Sequence, residues 1–107
     1  MKIIFNKIIP FGSYSTINLF GILFTKSNFL SDKTLNHEAI HSAQMKEMFY
    51  IGFYIWYIIE HIIRLFQYKN QKDAYYAISF EKEAYENDDN LDYLKDREVF
   101  SWWKYLV

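Results

Sequence analysis

The chain has 107 residues, a formal net charge of −1 and no cysteine. This length supports one domain, spanning 1–107, with a modest core, and the missing cysteines exclude disulfides and thiolate metal sites, so any metal falls to His, Asp or Glu. The near-zero charge gives no electrostatic reason to expect nucleic acid, and aromatics at 21% of the residues supply the buried area that a small core needs.

Residues 2–9 are rich in β-branched and aromatic types and read as a short strand, ended by Pro10 and Gly12. Residues 14–25 read as a second strand, with Gly21 a bulge or point of close approach. The two are expected to pair as an antiparallel ribbon. Its edge either accepts an extended peptide as an added strand or merely covers the helices. No secretory signal is evident, because Asn6 and Lys7 interrupt the apolar run and no small-residue cleavage site follows.

After a loop over 26–31, Ser31, Asp32 and Thr34 are all good N-cap types, so a helix should begin near 32–35. It carries His37-Glu38-Ala39-Ile40-His41, the H-E-x-x-H pattern. On a helix the two histidines lie one turn apart on one face, so both imidazoles can reach one ion. Glu38 points about 100° round the helix, close enough to act on a water at that ion. The helix should run on through Glu47, with Gly52 as the place where it bends or breaks.

Residues 48–59 are uncharged, but the run meets Glu60, His61 and Arg64, too soon for a spanning helix of about 20 apolar residues. A buried core helix is the expectation; the alternative is peripheral membrane contact through its Tyr, Trp and Phe. Localisation is accordingly read as cytoplasmic or membrane-peripheral. Glu60, His61, Arg64 and Gln67 fall on one side of this helix as a solvated or internally paired face, with Glu60 and Arg64 in the favourable i,i+4 order. His61 lies about five turns beyond His41 on a continuous helix, too far to share its metal.

A polar connector spans 68–72, and 73–78 read as a turn of helix. Ser79 should then cap a helix whose first turn carries Glu81 and Glu83, acids that suit the helix dipole. Residues 87–90 end it, 91–97 form a short helix, and 99–106 form an aromatic tail that docks on the core. Charge is uneven along the chain: 81–98 carry eight acids against three bases. That segment reads as a solvated face that would also favour a nearby cation. The fold class is therefore α+β, mainly α.

A hydrolytic zinc site takes three protein ligands and leaves one position open. With His37 and His41 as two, the candidates for the third are Glu47, Glu81 and Glu83. Glu47 lies where metzincins place a ligand, but those proteins turn the chain with a glycine at the position of Gln44, so here the helix carries Glu47 away. The pairing of the His37–His41 pattern with Phe80-Glu81-Lys82-Glu83-Ala84-Tyr85 resembles gluzincin metallopeptidases, the thermolysin-like group, and especially its very small members. The resemblance covers about a dozen residues. It implies a minimal zincin-like fold, one zinc ion, Glu81 as third ligand with Glu83 as the alternative, and Glu38 as general base in peptide hydrolysis. Tyr85 stands where the family commonly has an Asp that supports the first histidine, a departure that makes Tyr85 a supporting or oxyanion candidate; Tyr93 or another tyrosine could equally serve as the oxyanion donor. The implied partner is a peptide or protein substrate. The rival reading is a non-catalytic zinc-binding or interaction protein on the same scaffold.

Overall fold

A computed structural model describes residues 2–9 and 15–106. Strand β1 (Lys2–Phe5) and the hairpin β2 (Thr16–Leu19) and β3 (Ile22–Thr25) form a sheet of order β1-β3-β2. Helices α1 (Asp32–Glu47), α2 (Ile51–Tyr68), α3 (Gln71–Ala77), α4 (Ser79–Asn87) and α5 (Tyr93–Asp96) follow, then a 3-10 turn at Ser101–Tyr105. The protein is α+β and mainly helical, as expected.

The sheet corrects the expected ribbon. The stretch read as one strand is a hairpin, because Phe20 and Gly21 both take positive φ (54° and 87°) and turn the chain. A two-residue loop with φ > 0 at both positions matches the twist of the flanking strands, and glycine takes that conformation without strain. Asn18 Oδ1 accepts from the Gly21 N–H at 2.9 Å and steadies the turn. β2 occupies the antiparallel edge of β3, and β1 pairs with the other edge in the parallel direction. Pro10, Gly12 and Tyr14, read as turn and strand start, lie outside the described residues.

Ser31 caps α1, its side chain accepting from Thr34 N. α1 ends at Glu47, and α2 leaves at 109° to it. The break is at Phe49 and Tyr50, both with positive φ, and not at Gly52, which lies inside α2. Two aromatic residues hold this strained corner, and the Tyr50 ring packs 6.3 Å from that of Phe20 across the hairpin turn.

Met45, Phe53, Ile78, Phe80 and Trp102 form the core. The Phe80 ring lies 4.5 Å from Phe53 and 4.8 Å from Trp102, so the C-terminal aromatic segment docks where α2 and α4 meet. The start of α4 differs from expectation. Ser79 is its first helical residue and caps nothing; its N–H and hydroxyl both donate to the buried Glu60 carboxylate, each at 2.6 Å. Glu60 thus caps α4 from α2, and Arg64 pairs with Glu60 at 3.4 Å and donates to Leu106 O. Arg64 also donates to Gln67 at 2.8 Å, so Glu60, Arg64 and Gln67 of the polar stripe are internally paired.

The expectation of α2 as a buried core helix holds on one face only, where Phe53 joins the core and Tyr54, Trp56 and Tyr57 pack against it. Only Phe53 and Glu60 of its eighteen residues are buried. The isoleucine stripe on its other face is open to solvent. Periodicity identified an apolar face but carried no information about what covers it.

Candidate metal centre

The helical spacing of α1 brings His37 and His41 side by side, and α4 packs across α1 to bring Glu81 between them. The His41 Nε2 atom lies 3.2 Å from His37 Nε2 and 3.0 Å from Glu81 Oε1, and the third side of the triangle, His37 Nε2 to Glu81 Oε1, is 3.4 Å. All three side chains are buried and form a group able to hold a metal ion. Tetrahedral coordination with bonds of about 2.0–2.1 Å needs donor atoms about 3.3–3.4 Å apart; the longest side of the triangle has that length and the other two, at 3.2 and 3.0 Å, are slightly shorter.

The outer nitrogens are engaged in the way a metal site requires. His37 Nδ1 donates to Asp88 Oδ2 at 3.0 Å, and His41 Nδ1 donates to Gln44 Oε1 at 2.7 Å. A carboxylate or amide oxygen only accepts, so both Nδ1 atoms carry a proton and both Nε2 atoms face the centre. The Gln44 amide cannot flip profitably, because its Nε2 donates to Phe80 O at 3.0 Å and to Glu83 Oε1 at 2.9 Å. Tyr57 donates to the other oxygen of Glu81 at 2.7 Å. Every donor of the triangle is therefore held by a second group.

Burial pushes the His41 imidazole down, but the Glu81 carboxylate and the other groups around it override this and raise its pKa to about 9. Burial likewise pushes Glu81 up, and the two histidines and Tyr57 override it, so that Glu81 sits well below the usual carboxylate range. A proton on His41 competes with a metal ion for the same site. Burial raises the Glu38 carboxyl, against the lowering effect of both histidines.

The remaining sequence candidates fall elsewhere. Glu83 points away from the triangle, binding Gln44, Tyr93 and Arg97. Glu47 is carried off as expected, to Arg97 and to Phe100 N. Tyr93 is taken by Glu83. Tyr85 packs its ring edge-on to His37, with centroids 4.4 Å apart, and its hydroxyl meets that of Tyr75 at 3.1 Å.

Support for the first histidine thus comes from Asp88, which sequence reasoning missed. The signal was present: Asp88 is seven residues after Glu81, about two helical turns, and so on the same side of α4. Replacing Asp88 with Asn should lower metal affinity by about 10- to 100-fold with the fold intact. Chelator competition alongside circular dichroism measures both, and unchanged affinity would remove Asp88 from the site.

The triangle opens onto a cleft of about 510 Å³ between β2, α1 and α2. Glu38 lines it beside His37 and His41, and Tyr75 and His61 line it as well. The turn at 48–50 accounts for His61: a continuous helix would carry it far off, whereas the bent pair brings it to the cleft, though outside the donor triangle. Among the described residues no Lys or Arg lines the cleft, and most of its wall is apolar or aromatic.

β2 forms one rim. Lys26 N donates to Ser15 O, so the pair Ser15 and Lys26 is hydrogen-bonded. Antiparallel pairs alternate, and the register Thr16↔Thr25, Asn18↔Leu23 then turns the backbone groups of Thr16 and Asn18 away from β3. Tyr54 donates to Asn18 O on that side at 3.3 Å. Compared with known protein families, with curated proteins and with solved structures, the chain matches none.

Proposed function

We propose that this protein is a zinc-dependent peptidase. The observation that carries the reading is the His37–His41–Glu81 triangle with Glu38 beside it and both Nδ1 atoms anchored. A donor set of two imidazoles and one carboxylate, without thiolates, suits zinc and leaves room for a fourth position. Zinc held there supplies a Lewis acid and lowers the pKa of water.

The chain's own residues supply the rest. Glu38, raised by burial, would take a proton from the attacking water and pass it to the leaving amine. Asp88 and Gln44 fix the imidazole tautomers, and Tyr57 holds Glu81. Tyr75 lines the cleft, and burial, with Glu81 nearby, keeps its hydroxyl protonated far above the ordinary range, so it is a donor for a developing oxyanion. The outward backbone of β2 supports a peptide substrate, because an extended chain can pair with such an edge.

Purified protein should hold about one zinc ion per chain and cleave members of a mixed peptide library in a chelator-sensitive way. Metal analysis by mass spectrometry and product mapping test both. Protein that cannot bind zinc sinks the reading. Zinc without cleavage of any peptide supports the non-catalytic rival.

A further inference from the structure

α2 carries a second feature, on the face that turns away from the metal centre. Ile55, Ile58, Ile59, Ile62, Ile63 and Phe66 are each about half exposed or more, up to 80% for Phe66, and Ile51 extends the row at the N-terminal end. At about 100° per residue they occupy one arc of the helix. No charged side chain of α2 shares that face: its acid, Glu60, is buried against Ser79, and Arg64 turns inward to Glu60 and Leu106. The row continues at its flanks. Phe49 is exposed at the corner with α1, Phe20 is exposed against Tyr54, and exposed Trp103 lies 6.4 Å from Trp56. With large side chains offering on the order of 150–250 Å² each, the open apolar surface is on the order of 800 Å² or more, well above the patches that ordinary monomer surfaces leave uncovered.

The charges around this face select its partner. Lys46 lies in the last turn of α1 at the corner, Lys69 caps the C-terminus of α2, Lys72 is the second residue of α3 and Lys104 follows Trp103. All four are exposed, and none forms an ion pair among the described residues. A second copy of the chain packed along α2 would set Lys46 against Lys69 and Lys72 in the antiparallel sense, and Lys69 against its own mate in the parallel sense. Asp73, the acid beside Lys72, is already engaged by Asn70. An anionic surface satisfies all four, and a helix with an apolar face between lysines and aromatic flanks is the form that lies in a bilayer interface.

We propose that α2 docks this protein on an anionic lipid bilayer, the isoleucine row entering the headgroup boundary and Lys46, Lys69, Lys72 and Lys104 meeting lipid headgroups. The docking does not depend on the metal centre, so its test stands apart from the peptidase reading.

The full chain is floated with phosphatidylcholine vesicles carrying about one-third phosphatidylserine and with phosphatidylcholine alone. It should rise with the anionic vesicles and much less with the neutral ones. Ile58→Asp with Ile62→Asp should abolish flotation while circular dichroism stays unchanged, since both side chains are at the surface. Lys69→Ala and Lys72→Ala should each weaken anionic binding by about fivefold. Protein left at the bottom with both vesicles overturns the proposal, as does undiminished flotation of the double aspartate variant. Equal flotation on neutral and anionic vesicles overturns the role of the lysines. A dimer by light scattering, dissociated by the same aspartates and indifferent to vesicles, gives the face to a second copy instead.

Discussion

Glu38→Gln is expected to keep its metal and lose peptide hydrolysis by about 10²- to 10⁴-fold, the share that a positioned general base contributes. Glu38 is not one of the three donors of the triangle, so an amide in its place leaves His37, His41 and Glu81 where they are. It lines the cleft next to both histidines, and burial holds its carboxyl above the ordinary value, which suits a group that must take a proton and give it back. The amide is isosteric but cannot accept a proton. Metal content and turnover, measured on one preparation, separate the two roles. A variant that binds zinc and still turns over at the parent rate removes Glu38 from the chemistry. One that loses the metal as well makes it structural.

Arg97→Leu should destabilise the fold by about 3–5 kcal/mol, because it leaves two carboxylates without their partner. Arg97 is 5% exposed and bridges Glu83, whose side chain is fully buried, and Glu47, 9% exposed. The thermal midpoint should fall by more than about 10 °C for a chain of this size, read by circular dichroism; a shift of a degree or two would refute the account. Glu83→Gln on that background should recover part of the loss, since a neutral amide tolerates burial that a lone carboxylate does not.

The same cluster reaches the metal centre, because Glu83 accepts from Gln44, which holds His41. Burial pushes Glu83 up, but the hydrogen bonds from Arg97, Gln44 and Tyr93 outweigh it, so its folded pKa is lower than the ordinary 4.5. A lowered carboxyl pKa means that the unfolded chain binds more protons in that range. The contribution of Glu83 is therefore complete above pH 4.5 and is lost as pH falls through the folded value.

Much of the centre was legible because it is local. Two histidines four residues apart share a face on any α-helix, and Ser31 marks where that helix starts. Glu81 and Glu83 illustrate the opposite case. Both are acids early in one short helix, about 200° apart. Nothing within that helix says which side meets α1, and only the packing of α4 sends Glu81 to the histidines and Glu83 to Arg97. Asp88 was obscured by the four-residue spacing that pointed to Tyr85, although the seven-residue spacing holds it on the same side. Gln44 was read only for the turn it does not make, and its contacts with His41 and Glu83 depend on three elements meeting.

By itself, then, the sequence determined the face of α1 that carries both histidines, the neighbouring acid Glu38, the restriction of any metal to His, Asp and Glu donors, and the mainly helical class, since each follows from composition or from a period of 3.6 residues. Tertiary structure alone decided the third donor, the hairpin at Phe20 and Gly21, the turn at Phe49 and Tyr50 that brings His61 to the cleft, and the exposure of α2. Those outcomes depend on which surfaces meet across the chain, and a helical period records that a face is apolar without recording what, if anything, lies against it.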